Sequence, residues 1–160
     1  MKKNIAIYAG TFDPFTNGHL NIVQRGLNIF EEIRILVAVS PNKKPMFSTQ
    51  QRIEMIKDVF KNNSKVTVDS WAGLLVEYAE KNNIKCLLRG LRPTGDFESE
   101  FQMASMNNHL NSEIETVFLM TSGDQYFVSS SLVKEIHQHG KDITAFVPTE
   151  IINKIKSLKK

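Results

Sequence analysis

The sequence has few of the residues that build cross-links or membrane spans. Only one of its 160 residues, Cys86, is a cysteine, which excludes an intramolecular disulfide and a cysteine-based metal cluster. Cys86 lies in an apolar stretch, so we expect a buried, unreactive thiol. No signal peptide is recognisable in the sequence, and no apolar run approaches the ~18 residues that a membrane-spanning helix needs. We therefore expect a cytoplasmic protein without a membrane partner.

The chain also lacks a strong excess of charge of one sign. Twenty basic and 17 acidic residues leave a formal net charge of +3, and part of this excess is in the lysines of residues 154–160. No basic stripe with interleaved aromatic residues occurs, so no nucleic-acid partner is expected. Hydrophobic and charged contents of 41% and 23% are ordinary for a globular protein. At this length we expect one domain, residues 1–160, with a real core.

Short apolar segments alternate with segments of helical periodicity along the whole chain. Five of them are expected as strands: residues 5–9, 33–39, 66–68, 85–88 and 116–120. This alternation predicts an α/β fold, a single doubly wound, Rossmann-like parallel sheet with helices on both faces. A long helix is expected over residues 97–110, with Met103 and Met106 in the core or in the wall of a pocket.

The turn after the first predicted strand has the composition of an anion-binding site. Residues 10–19 are Gly-Thr-Phe-Asp-Pro-Phe-Thr-Asn-Gly-His, a glycine turn between a strand and a helix with His19 in the first helical turn. Backbone N–H groups and the positive end of a helix converge in such a turn and suit a phosphate. The segment is neither a Walker A loop nor a Gly-x-Gly-x-x-Gly motif.

Polar segments also follow the other four predicted strands, at residues 40–44, 69–71, 89–92 and 121–131. In a doubly wound sheet, ligands bind beyond the carboxyl ends of the strands, so these segments are expected to gather at one edge. They contain two arginines, a lysine and a serine cluster, to which the first turn adds a histidine. The sequence therefore predicts an electropositive, donor-rich cleft for a multiply phosphorylated small ligand.

Each candidate residue also has a structural alternative. Thr11 can cap its own turn, and Lys43 can belong to a solvated loop. Arg89 and Arg92 can form surface ion pairs, and one serine of residues 129–131 is enough to cap a helix. No nucleophile–base arrangement is visible in the sequence. A reaction whose nucleophile is an ionised phosphate needs no base, because positioning and electrostatics carry it.

Residues 11–19, Thr-Phe-Asp-Pro-x-Thr-Asn-Gly-His, closely resemble the first motif of the bacterial phosphopantetheine adenylyltransferases, a family of nucleotidylyltransferases. The resemblance continues through Ser-Pro-x-Lys-Lys-Pro-Met-Phe at 40–47 and Arg-Gly-Leu-Arg at 89–92. It includes Phe-Val-Ser-Ser-Ser-Leu-Val-Lys at 127–134. These motifs follow the family's order over about the whole chain.

The resemblance implies transfer of AMP from ATP to 4'-phosphopantetheine, which gives dephospho-coenzyme A and pyrophosphate. It implies magnesium, expected through the ATP phosphates, and a homo-hexamer. The implied catalytic residues are His19, Lys43 and Arg92. The implied phosphopantetheine-binding residues are Thr11, Lys43, Leu75, Arg89, Met106 and Asn107. The implied ATP-binding residues are Thr11, Phe12, Gly18, His19, Gly90, Leu91, Arg92, Glu100, Gln125, Tyr126, Phe127, Val128, Ser129, Ser130 and Ser131.

Two alternatives to this reaction stay open. One is a nucleotidylyltransferase that acts on another phosphorylated acceptor, although residues 40–47 and 74–75 suit a long, partly apolar thiol arm. The other is a non-catalytic nucleotide-binding module. Such a module would more readily have lost His19 or one of the two arginines, and all three are present.

Overall fold

The chain forms a five-stranded parallel sheet with helices on both faces. A computed structural model describes residues 3–40, 44–92, 96–121, 123 and 127–158. The strands are β1 (Ile5–Gly10), β2 (Glu32–Ala38), β3 (Val66–Trp71), β4 (Cys86–Leu91) and β5 (Glu115–Met120). Their order is β3-β2-β1-β4-β5, and every neighbouring pair is parallel. The predicted doubly wound α/β fold is confirmed, and its switch point lies between β1 and β4.

Six helices connect and flank these strands in the described residues. They are α1 (Asn17–Gly26), α2 (Thr49–Val59), α3 (Leu75–Lys81), α4 (Asp96–Leu110), α5 (Ser130–Gln138) and α6 (Thr149–Leu158). The core consists of two clusters of buried side chains. Ile35 and Leu88 belong to the larger cluster, whereas their chain neighbours Leu36 and Leu87 belong to the smaller one. Successive strand residues point to opposite faces, so the two clusters cover the two sides of the sheet.

Two strands extend further than the sequence predicts. Residues 89–91 were expected in a loop, but they pair with residues 118–120 of β5 and belong to β4. Residues 69–71 likewise pair with residues 36–38 of β2 and belong to β3. These expectations were wrong because backbone pairing with a neighbouring strand continues a strand after its apolar residues end.

Helix α4 departs most from the expectation. Met103 and Met106 were expected in the core or a pocket wall, yet they are 47% and 56% exposed. Phe97 and Phe101 are also exposed, and their rings stack with centroids 6.0 Å apart. The prediction of a core position was wrong because periodicity indicates a helix without showing what covers each of its faces.

The single cysteine agrees with the expectation from composition. Cys86 is a free cysteine, partly buried at the start of β4. Burial raises the pKa of its thiol to about 11, which keeps the thiol protonated and unreactive. Among the described residues, no helix is both long enough and apolar enough to cross a membrane.

Candidate active site

A cleft of about 450 Å³ opens at the carboxyl ends of β1 and β4, at the switch point of the sheet. It is bordered by β1 and the turn after it, the start of α1, β4, α4 and the start of α5. The lining residues are Tyr8, Ala9, Gly10, Thr11, Phe12, Asp13, Thr16, Gly18, His19, Ile22, Arg89, Gly90, Arg92, Glu100, Thr121, Val128, Ser129, Ser130, Ser131 and Lys134.

His19 is held in one orientation by the residue that caps its own helix. The amide of Thr16 donates to His19 Nδ1 at 2.9 Å, and the amide of His19 donates to Thr16 Oγ1 at 3.4 Å. This is a capping box in which a histidine replaces the usual Glu or Gln. Because Nδ1 accepts a hydrogen bond, the proton of the neutral ring is on Nε2.

The surroundings of His19 keep its ring uncharged. Burial, together with the positive charges of Arg92 and Arg89, lowers the pKa of His19 to about 3. The rings of Phe12 and Phe15 lie beside the imidazole, with centroids 5.0 and 5.3 Å away. At neutral pH His19 is therefore a neutral hydrogen-bond donor through Nε2, not a cation.

Arg89 is oriented by a carboxylate of α4. Its Nε and Nη2 atoms donate to the two carboxylate oxygens of Glu100 at 2.7 and 2.5 Å, and its Nη1 donates to Ala9 O at 2.6 Å. The two charged side chains are only 21% and 15% exposed. The alternative of an ion pair is confirmed for Arg89, but the pair lines the cleft and is not part of the outer surface. Arg92 lines the same cleft just beyond the end of β4.

Gly90 lets β4 approach α1 closely at this point. A Cβ atom at Gly90 would lie 3.0 Å from Ile22 Cγ1 and 3.9 Å from the Tyr8 hydroxyl oxygen. Burial raises the pKa of that hydroxyl, so Tyr8 stays protonated. The absence of a side chain at Gly90 therefore keeps the cleft open beside the two arginines.

The start of α5 brings a second helix N-terminus to the cleft. Ser129 is the N-cap, and its hydroxyl accepts from the amide of Leu132 at 3.2 Å. The hydroxyl of Ser130 donates to Pro14 O at 2.9 Å, which ties α5 to the turn after β1. The capping alternative is thus confirmed for Ser129. Some first-turn amides already have partners, since Asn17 N donates to Phe146 O and the amides of His19 and Leu132 donate to their N-cap hydroxyls. The positive ends of α1 and α5 nevertheless both lie at the cleft and suit anions.

A buried carboxylate in the cleft wall, that of Asp13, was not predicted from the sequence. Asp13 is 2% exposed and accepts from the amides of Met46 and Phe47 at 2.9 and 3.0 Å. It also accepts from Lys134 Nζ at 2.9 Å. Asp13 and Lys134 both belong to the motifs that carry the family resemblance, but their partners are distant along the chain. Only the fold therefore shows that Asp13 joins residues 46 and 47 to Lys134 of α5.

Comparisons with known proteins agree with this geometry. Residues 7–136 match the cytidylyltransferase-like family. The phosphopantetheine adenylyltransferase of Caldanaerobacter subterraneus is 49% identical over 151 residues, which cover 94% of both chains. That of Desulfosudis oleivorans is 48% identical over 95% of this chain and 90% of its own. The chain belongs to the phosphopantetheine adenylyltransferase family.

Most described residues that the resemblance to phosphopantetheine adenylyltransferases implies lie together in the cleft. These are Thr11, Phe12, Gly18, His19, Arg89, Gly90, Arg92, Glu100, Val128, Ser129, Ser130 and Ser131. Five others do not line it: Leu75, Leu91, Met106, Asn107 and Phe127. Lys43, Gln125 and Tyr126 lie outside the described residues. The binding and catalytic roles of all these residues stay predictions.

The cleft offers few ligands to a metal ion on its own. The described residues contain no group of three or more His, Cys, Asp or Glu side chains that could hold a metal. The two carboxylates that line the cleft, Asp13 and Glu100, are both in ion pairs. Mg²⁺ commonly binds through substrate phosphates with few protein ligands. These residues therefore fit magnesium carried by a nucleotide, not a dedicated protein cage.

Proposed function

We propose that the chain transfers the adenylyl group of ATP to 4'-phosphopantetheine, giving dephospho-coenzyme A and pyrophosphate. The observation that carries this proposal is the convergence of two helix N-termini, two arginines and a neutral histidine in one cleft. Such donors suit two phosphorylated substrates that must be brought together against their mutual repulsion. The name shared by relatives at 46–49% identity supplies the acceptor.

In the proposed reaction, a phosphate oxygen of the acceptor attacks the α-phosphorus of ATP in line. The new bond joins that oxygen to the α-phosphorus. The bond between the α-phosphorus and the oxygen bridging to the β-phosphate breaks, and pyrophosphate leaves with the electron pair. The attacking oxygen is already ionised, so no side chain has to remove a proton. Positioning and charge stabilisation then provide the rate enhancement.

The chain's own groups divide this work between the two substrates. The Nε2–H of His19 donates to an α-phosphate oxygen whose negative charge grows in the transition state. Arg92 and the first-turn amides of α5 hold the β- and γ-phosphates. Thr11 and Arg89, the latter oriented by Glu100, hold the phosphate of the acceptor. Lys43 adds a positive charge for the phosphate of the acceptor.

Magnesium, location and assembly complete the proposal. Magnesium bound to the ATP phosphates would neutralise part of their charge. The enzyme would act in the cytoplasm as a homo-hexamer. The exposed apolar residues of α4, which are 47–62% exposed, provide a surface for contacts between copies: Phe97, Phe101, Met103, Met106 and Leu110.

The proposed reaction is tested by incubating the protein with ATP, magnesium and a panel of phosphorylated acceptors. We expect pyrophosphate release with 4'-phosphopantetheine and much less with unrelated phosphomonoesters. Omitting each substrate in turn provides the control for ATP hydrolysis. Release with another acceptor but none with 4'-phosphopantetheine would assign the chain to a different acceptor. No release with any acceptor would favour a non-catalytic nucleotide-binding module.

A further inference from the structure

Arg52 on α2 is a fully buried charged residue that does not line the cleft, with 2% exposure. Its Nε donates to Phe47 O at 3.1 Å, and its Nη2 donates to Thr49 Oγ1 at 3.0 Å. Its Nη1 donates to Thr11 O at 2.7 Å and to Ala38 O at 3.4 Å. These acceptors belong to three separate segments: the turn after β1, the end of β2 and the start of α2. One guanidinium therefore joins three segments at the carboxyl edge of the sheet.

Asp13 bonds to the same region of the chain as Arg52. Its carboxylate accepts from the amides of Met46 and Phe47, while Arg52 donates to the carbonyl of Phe47. Both backbone groups of Phe47 are thus bonded to buried charged side chains. Phe47 itself is 5% exposed and packs in the larger core cluster. The path of residues 46 and 47 relative to the turn after β1 is consequently fixed by side chains and by packing.

A stabilising role alone is a weak explanation for this arrangement. Burial lowers the pKa of Arg52, and the negative charge of Asp13 opposes that shift. Apolar residues of similar volume often replace buried charges without loss of stability. A planar guanidinium, however, places several hydrogen bonds in fixed directions, which an apolar residue cannot do. Three of its four acceptors here are backbone carbonyls of segments at this edge.

We propose that Arg52 is a positioning residue for the acceptor substrate. It fixes Thr11 and Phe47 relative to each other. The bonds from Met46 and Phe47 to Asp13 then fix both relative to the cleft that contains His19. This role rests on the proposed function, which assigns Thr11, Arg89 and Lys43 to 4'-phosphopantetheine. Arg92 and α5, assigned to ATP, receive none of the hydrogen bonds that Arg52 donates. Losing Arg52 should therefore weaken the acceptor side selectively.

The test compares Arg52→Met and Arg52→Lys with Arg34→Met. Arg34 on β2 is a matched control, because it bonds to Asn82 Oδ1 at 2.8 Å and does not line the cleft. We expect both Arg52 variants to raise the KM for 4'-phosphopantetheine by about tenfold or more, since small misplacements of binding groups are costly. The KM for ATP should stay near that of the wild type. Lysine at position 52 should not restore the wild-type KM for 4'-phosphopantetheine, because its point charge cannot reproduce the several directed hydrogen bonds of a guanidinium group.

Equal increases in both KM values, or unchanged KM values with lower stability alone, would overturn the positioning role. Rescue by Arg52→Lys would overturn it too, because charge alone would then suffice. If Arg52→Met does not fold, the test uses Arg52→Lys and Thr49→Val. Thr49→Val removes one hydrogen-bond acceptor of Arg52 and should raise the KM for 4'-phosphopantetheine by a smaller factor. A wild type without the activity would overturn the proposed function, and this role with it. An active wild type with unaffected Arg52 variants would overturn only the positioning role.

Discussion

His19 is the single residue on which the proposed chemistry depends most. Replacing it with alanine removes the Nε2–H donor, and losing one such donor typically lowers kcat by about a hundredfold or more. We expect His19→Ala to show at least this loss in pyrophosphate release with little change in fold, as judged by circular dichroism. His139→Ala serves as the control, because His139 is exposed at the end of α5. Near-normal turnover of His19→Ala would rule out the assigned role.

The same residue should leave a signature in the pH dependence of stability. Its pKa is about 3 in the folded chain against an ordinary value of 6.5, so between these values only the unfolded chain binds the proton. Stability should therefore fall as the pH falls through this window, by up to about 1.4 kcal/mol per pH unit from His19. Urea unfolding at a series of pH values would measure the slope. We expect His19→Gln to reduce it, and an identical slope in both proteins would contradict a neutral His19.

At the scale of elements, the cleft depends on the close approach of β4 to α1 at Gly90. In Gly90→Ala the new methyl group would lie 3.0 Å from Ile22 Cγ1 and 3.2 Å from Ile22 Cδ1. We expect a loss of about 1–3 kcal/mol of stability from overpacking, together with a higher KM for ATP. Adding Ile22→Val to Gly90→Ala removes Cδ1 of residue 22, so it should restore part of the lost stability and lower the KM for ATP again. Ile22→Val alone should leave the KM for ATP nearly unchanged. If Gly90→Ala had the stability and the KM for ATP of the wild type, this contact would not shape the cleft.

The apolar strands and the polar segments after them were enough to predict the fold and the edge where the cleft lies. The sequence did not reveal which side chains within that edge contact one another. Asp13 bonds to residues 46, 47 and 134, and Arg52 bonds to residues 11, 38 and 47, so their partners become neighbours only after folding. The Thr16–His19 capping box was missed because histidine is not the usual residue at that position. Exposure of Met106 was missed because periodicity does not show what covers a helix face.

At the scale of the whole molecule, the exposed face of α4 is the surface proposed for contacts between copies. Six chains of 18.2 kDa would give a mass of about 109 kDa in light scattering. Phe101 is 59% exposed, and we expect Phe101→Asp to shift this mass to smaller species because a charge would be buried in the contact. Ile29→Asp is the matched control, since Ile29 is 51% exposed but lies outside α4. A monomeric wild type, or an unchanged mass in Phe101→Asp, would contradict this assembly.

The most direct test of adenylyl transfer follows the fate of the ATP phosphorus atoms. The protein is incubated with magnesium, 4'-phosphopantetheine and ATP labelled at either the α- or the γ-phosphorus, and the products are separated. We predict that the α-label appears in dephospho-coenzyme A and the γ-label in pyrophosphate, because attack occurs at the α-phosphorus. Transfer of the γ-label to the acceptor, or an acceptor that carries no label after incubation with α-labelled ATP, would contradict the proposed reaction.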